Sequence, residues 1–112
     1  MPTITRGDIV AIADRAGNFT GKPRPAVVVQ ADVFDTLDSV TVCPLTAQDV
    51  GEAVTRLPIG PSPELPLDWP SWIVVDKVST VRRTRIGRRI GCLSQAELQR
   101  LNGAIAVFLG LG

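Results

Sequence analysis

Short runs of β-branched and apolar residues fill most of this chain, and only near the C-terminus does the apolar spacing lengthen to that of a helix. Gly7-Asp8-Ile9-Val10-Ala11-Ile12-Ala13 alternates well enough for a first strand. Asp14 to Arg24 reads as a loop, broken by Gly17, Asn18 and Gly21. Pro25 to Ala31 reads as a second, buried strand. Asp32 to Asp38 is a polar connector around Phe34, with room for one helical turn. Ser39 to Leu45 is rich in β-branched residues and predicts a third strand; Pro44 near its end predicts an edge or terminal position. Thr46 to Glu52 is loop-like. Ala53 to Ile59 and Ser71 to Val75 predict a fourth and a fifth strand. Between them, Gly60 to Pro70 carries Pro61, Pro63, Pro66 and Pro70 and predicts a long, extended surface loop. Asp76 to Arg85 is expected to continue extended, anchored by Val78 and Val81. Ile86 to Leu93, with Gly87 and Gly91, is expected to form a short hairpin return.

One long helix is predicted. Ser94-Gln95-Ala96-Glu97 is a capping box, in which a serine hydroxyl and a glutamate three residues on satisfy each other's backbone N–H groups. Leu98, Leu101, Ile105, Phe108 and Leu109 then recur at helical spacing, and Gly110 is a stop signal. The pattern predicts an α+β chain: a small, strongly curved antiparallel sheet with an amphipathic helix packed on it. No repeat or linker interrupts it, so residues 1–112 are expected to form one domain.

Composition narrows the chemistry. The 112 residues can bury one modest core. No apolar run is long enough to span a bilayer, and Met1 to Arg6 lacks the apolar stretch of a signal peptide, so a cytoplasmic protein is expected. Cys43 and Cys92 read as small buried hydrophobes and make a poor zinc site. The chain has no histidine, which removes a Ser-His-Asp triad, a Cys-His pair and a histidine base. No glycine-rich nucleotide-binding pattern occurs. The net charge is only +1, but Lys77, Arg82, Arg83, Arg85, Arg88 and Arg89 follow one another without an acidic residue. Two readings of that stretch stay open: a site for an anionic partner, or a solvated hairpin with alternating charged positions.

Lys22-Pro23-Arg24-Pro25 runs straight into Ala26-Val27-Val28-Val29. Proline restricts the residue before it to extended conformations, so Arg24 is held extended at the mouth of an apolar strand. A guanidinium fixed there suits a phosphate; the plainer reading is a solvated strand-edge arginine. Thr46, after Pro44-Leu45, and Asp76, after Trp72-Ile73-Val74-Val75, also sit where a strand meets a loop. Rigid elements that end in polar side chains are how small barrels build sites.

The ordered set Arg6-Gly7-Asp8-Ile9-Val10, Lys22 to Val29, Pro44-Leu45-Thr46, Val75-Asp76-Lys77-Val78 and the closing helix resembles the MazF/PemK/Kid group of toxin ribonucleases. The resemblance covers almost the whole chain. It implies a small SH3-like antiparallel β-barrel with a long C-terminal amphipathic helix, working as a homodimer. It also implies cleavage of single-stranded RNA without a metal or other cofactor, and neutralisation by a cognate antitoxin protein. The family's catalytic arginine falls on Arg24, its conserved threonine on Thr46 and the aspartate after the fifth strand on Asp76. Where some members carry a functional arginine two residues before that aspartate, this chain has Val74. Its first loop, Gly17-Asn18-Phe19-Thr20-Gly21-Lys22, also lacks the acidic or histidine residue found in other members.

RNA supplies its own nucleophile, the 2′-hydroxyl beside the scissile phosphate, so a site without histidine or metal can work by orientation and charge stabilisation. Arg24 is expected to grip the phosphate, and Thr46 to hydrogen-bond a phosphate oxygen or the 2′-hydroxyl. Asp76 is expected to accept a proton, orient Arg24 or meet a base edge. For Thr46 and Asp76 the rival reading is purely local: satisfying loop backbone, or ending a strand. Lys22, Lys77, Arg82, Arg83 and Arg85 are expected to contact phosphates along the strand. Trp69, Trp72 and Phe19 are the candidates for stacking on unpaired bases; Trp72, inside a strand, reads more readily as core, and Trp69, in the proline-rich loop, and Phe19, in the first loop, are the better candidates. A non-catalytic barrel toxin that binds a protein such as a topoisomerase, and a degenerate member that binds only its antitoxin, are the alternatives.

Overall fold

The structure, a computed structural model, describes residues 3–14, 17–18, 24–48 and 53–111. Phe19 and Lys22, both expected to touch RNA, lie outside the described residues. Seven strands pair antiparallel: β1 (Asp8–Ile12), β2 (Arg24–Val28), β3 (Ser39–Thr46), β4 (Arg56–Ile59), β5 (Ser71–Val74), β6 (Ser79–Arg82) and β7 (Ile86–Cys92). Their order is β4-β5-β3-β2-β1-β7, with β6 also on β3. Helix α1 (Gln95–Phe108) follows β7. The expected barrel-like sheet with a C-terminal helix is present; the sheet is curled but not closed. Across the gap, the Cys92 N–H donates to the Glu64 carbonyl at 3.0 Å.

Strands β1, β2 and β3 are buried on both faces, which is why Ala26-Val27-Val28 and Val40-Thr41-Val42-Cys43 read as nearly unbroken apolar runs. One face packs Ile9, Val27, Cys43, Leu45 and Ile73 against Leu101 and Ala104 of α1. The other gathers Val10, Ala26, Val28, Val40 and Val42, closed over by Ile12, Val81 and Ile86. The capping box at Ser94 forms in full, Ser94 Oγ accepting from the Glu97 N–H at 3.1 Å and Glu97 Oε1 from the Ser94 N–H at 2.8 Å. Such a cap contributes about 1 kcal/mol. At the other end Gly110 takes φ of 74°, and the Leu111 N–H reaches the Ala106 carbonyl, so the helix stops in a Schellman turn. The helix outruns the sheet: Leu101 is fully buried, but Phe108 and Leu109 of the predicted apolar stripe are exposed. Among the described residues, no helix is long and apolar enough to cross a membrane.

Three local expectations are corrected. Ile86 to Leu93 is no hairpin: Ile86–Cys92 is one strand along β1. Gly91 serves there by close approach, since a Cβ on it would sit 2.4 Å from the Glu64 carbonyl oxygen. Asp76 to Arg85 is not continuously extended, because 3-10 turns at Val75–Lys77 and Arg83–Arg85 bracket β6. The proline-rich loop is not purely a surface loop; Leu65, with no exposure at all, plugs into the core from a tight Ser62–Leu65 bridge. Pro44 takes the terminal one of its two expected positions, near the end of a strand that is itself interior, between β2 and the β5–β6 edge. The Val29 N–H donates to the Thr41 carbonyl, so by alternation odd-numbered β3 residues bond toward β2. The Pro44 nitrogen therefore turns to the opposite side, at the break between the β3–β5 pairing, which ends at Leu45↔Ile73, and the β3–β6 pairing, which begins at Val42↔Ser79.

Candidate active site

Arg24 opens β2 with its side chain exposed, ahead of half-buried Pro25 and buried Ala26. On β1 it faces Ile12. On the other side, β2 pairs with β3 through Ala26↔Pro44, Val27↔Cys43 and Val28↔Val42. Continued by two residues within both strands, that register sets Arg24 opposite Thr46. Facing residues of an antiparallel pair lie about 4.5–5.5 Å apart with side chains on one face. That face is the one turned away from α1. Thr46 in turn faces Trp72 of β5, and Trp72 faces Pro58 of β4. One cross-strand row therefore runs Ile12, Arg24, Thr46, Trp72, Pro58.

Thr46 Oγ1 accepts from the Gln48 N–H at 3.2 Å, a turn that ends the strand locally. A hydroxyl that accepts still has its own proton to donate, so the loop-closing role leaves a donor on this face. Asp76 occupies the 3-10 turn between β5 and β6. Four residues back along β3, from Thr46 to Val42, correspond to seven along the edge, from Trp72 to Ser79. Those three extra residues are the turn that lifts Asp76 out of the ladder. Both its oxygens are held by Arg56: Nη1 donates to Oδ1 and Nη2 to Oδ2, the latter at 3.4 Å. Arg56 Nη1 also donates to the Thr55 carbonyl at 3.1 Å. Arg56 faces Val74, two residues from Trp72, so it projects from the same sheet face as Arg24 and Thr46. Among the described residues, no three His, Cys, Asp or Glu side chains gather as metal ligands would.

The PemK-like, MazF-like toxin family of type II toxin-antitoxin systems matches this sequence over residues 5–109. The chain belongs to that family. A probable endoribonuclease MazF of Mycolicibacterium smegmatis is 42% identical over 106 residues, spanning 95% of this chain and 96% of the relative. The solved toxin MazF-mt6 of Mycobacterium tuberculosis superposes with a TM-score of 0.75 at 28% identity, over 93% of this chain and 98% of that one. A MazE–MazF structure from Deinococcus radiodurans reaches a TM-score of 0.79 over the whole of both chains, and at 19% identity it speaks for the fold.

In this PemK/MazF-like toxin the basic stretch is dispersed. Arg85 places Nε and Nη2 on the Ala13 carbonyl, at 3.0 and 2.7 Å, and so ties the end of β1 to the turn before β7. Arg83 Nε donates to the Leu37 carbonyl at 2.8 Å. Arg82 faces Ser39, on the side of the sheet opposite to Arg24. Arg89 pairs with buried Asp8 at 3.0 Å; that hydrogen bond, then the Coulombic attraction, raises its pKa above the ordinary value. Of the expected phosphate contacts on this stretch, Lys77 and Arg82 are exposed, while Arg83 and Arg85 spend donors on backbone. The reason is geometric: strand alternation and two 3-10 turns rotate successive residues to different sides.

Trp69 is 68% exposed in the proline-rich loop, its carbonyl accepting from the Ser71 hydroxyl. One residue of this face, Arg56, was not among the expected site residues. The alternation of Arg56 with buried Ile59 carries the signal for which face Arg56 takes; its pairing with Asp76, twenty residues away, has no local signature.

Proposed function

We propose that this chain is a metal-independent endoribonuclease toxin that cuts single-stranded RNA in the cytoplasm, acts as a homodimer and is neutralised by a cognate antitoxin. The single observation that carries the reading is the register that seats an exposed arginine opposite a threonine hydroxyl at a strand end, within this toxin family. The 2′-hydroxyl oxygen attacks phosphorus and gives up its proton to solvent water, the P–O5′ bond breaks, water protonates the leaving O5′, and a 2′,3′-cyclic phosphate and a 5′-hydroxyl result. Arg24 neutralises the growing charge on the non-bridging oxygens, through charge-assisted donors whose geometry the sheet holds beforehand. Thr46 donates its hydroxyl proton to one of those oxygens. A guanidinium stays protonated, so Arg24 stabilises charge and does not take the 2′-proton. Asp76, with both oxygens on Arg56, acts as a positioning residue that fixes the second guanidinium of this face. Lys77 and Trp69, both exposed, are available to the strand on either side.

The test is incubation of the purified protein with a long unstructured RNA in EDTA, followed by mapping of the ends. Cleavage that survives chelation, leaves cyclic phosphate ends and falls about 10²–10³-fold in Arg24→Ala is expected. Absence of cleavage on any RNA, together with tight binding to a protein target, overturns the reading. Light scattering at micromolar concentration reads the dimer.

A further inference from the structure

Trp72 stands out on the sheet face that carries Arg24 and Thr46. It lies directly opposite Thr46 on one side and Pro58 on the other. It is partly exposed, and among the described residues it is packed into neither apolar cluster. Its strand neighbours Ile73 and Ser71, on the alternate face, are buried. Among the described residues neither apolar cluster includes this indole, and the next side chain on its face is a proposed phosphate-binding hydroxyl. The strand also fixes its backbone between two hydrogen-bonded neighbours, unlike that of Trp69 in the loop.

We propose that Trp72 is the stacking platform for the unpaired base of the nucleotide beside the scissile phosphate. The inference rests on the ribonuclease reading and deepens it by naming a base subsite. Adjacent strands are about 4.8 Å apart. A phosphate held between Arg24 and Thr46 therefore places its own nucleotide within reach of the next strand, where the indole lies. A tryptophan needs only two side-chain torsions fixed to present a large flat surface, so little freedom is lost on binding. Stacking uses the π-face that every base has, and so selects for an unpaired strand without selecting base identity. On its far side the register neighbour is Pro58 of β4. Single-strandedness of the substrate follows directly, because a base in a duplex has both faces covered.

The experiment uses a short RNA that carries the sequence cleaved in EDTA, made uncleavable by a 2′-deoxyribose at the attacking nucleotide. In Trp69→Phe, Trp72 is the sole indole, and its fluorescence is expected to be quenched on titration with this RNA and unchanged by its duplex form. Trp72→Ala is expected to weaken binding about 5- to 150-fold, and Trp72→Phe to recover part of that loss. If anisotropy shows the RNA bound to Trp69→Phe while its indole emission does not move, the platform is refuted even though cleavage persists. Unchanged affinity in Trp72→Ala refutes it equally. If no RNA is cleaved at all, the ribonuclease reading itself fails and the subsite goes with it.

Discussion

The pairing of Arg56 with Asp76 is open to a double-mutant cycle that separates support from catalysis. Arg56→Met and Asp76→Asn each remove one charge with little change of shape. The side chains are 25% and 30% exposed, so the pair is about three-quarters covered. Exposed ion pairs contribute roughly 0.2–1 kcal/mol, and hydrogen bonds to charged groups shielded from water about 1.5–3 kcal/mol. A two-donor contact of intermediate cover sits between, at about 1–2 kcal/mol of coupling. Each single variant is expected to lose about 1.5–3 kcal/mol, because it strands the partner charge in a covered site. The double variant loses less than the sum by the coupling. Urea unfolding followed by circular dichroism on the four proteins reads this directly. A coupling within about 0.5 kcal/mol of zero refutes the argument. Cleavage by the same four proteins decides the role of Asp76. If it acts through Arg56, both single variants reduce kcat/KM by one factor and the double variant by no more. An Asp76→Asn loss far beyond that of Arg56→Met makes the carboxylate a proton carrier instead.

Two further outcomes follow from packing and burial. Gly91→Ala drives a methyl to 2.4 Å from the Glu64 carbonyl oxygen and 3.0 Å from the Leu65 Cα, both backbone atoms. A loss of about 1–3 kcal/mol is expected, seen as a drop in Tm and checked by thermal melting. Burial pushes the Cys43 thiol up to about 11, against an ordinary 9.0. A raised folded-state pKa means stability is fully present below pH 9, and declines as the unfolded chain ionises while the folded one does not. Unfolding free energy is therefore expected to fall between pH 9 and about 11, a decline that Cys43→Ala reduces.

Much of this protein is local and was legible along the chain. The capping box at Ser94 and Glu97, the glycine stop at 110, and the apolar runs around Ile9, Val27 and Val42 each depend on residues within a few positions. Short-range hydrogen bonding and alternation act on them directly. The resemblance to a toxin family was carried by motifs of the same kind. Proline-rich stretches and isolated glycines were read less well: Leu65 enters the core and Gly91 lets a loop approach, and both depend on what lies across the gap in the sheet.

Residue order alone decided that Arg24 is extended at the mouth of a strand, because the proline after it acts on backbone torsions next door. Tertiary pairing alone decided that Arg24 faces Thr46, that Thr46 faces Trp72, and that Arg56 spans to Asp76. Those neighbours are set by strand register across long loops, and register follows from which whole faces can be buried together. A single-residue slip turns every side chain of a strand to the other face, so which polar residues share that face is a property of the assembled sheet.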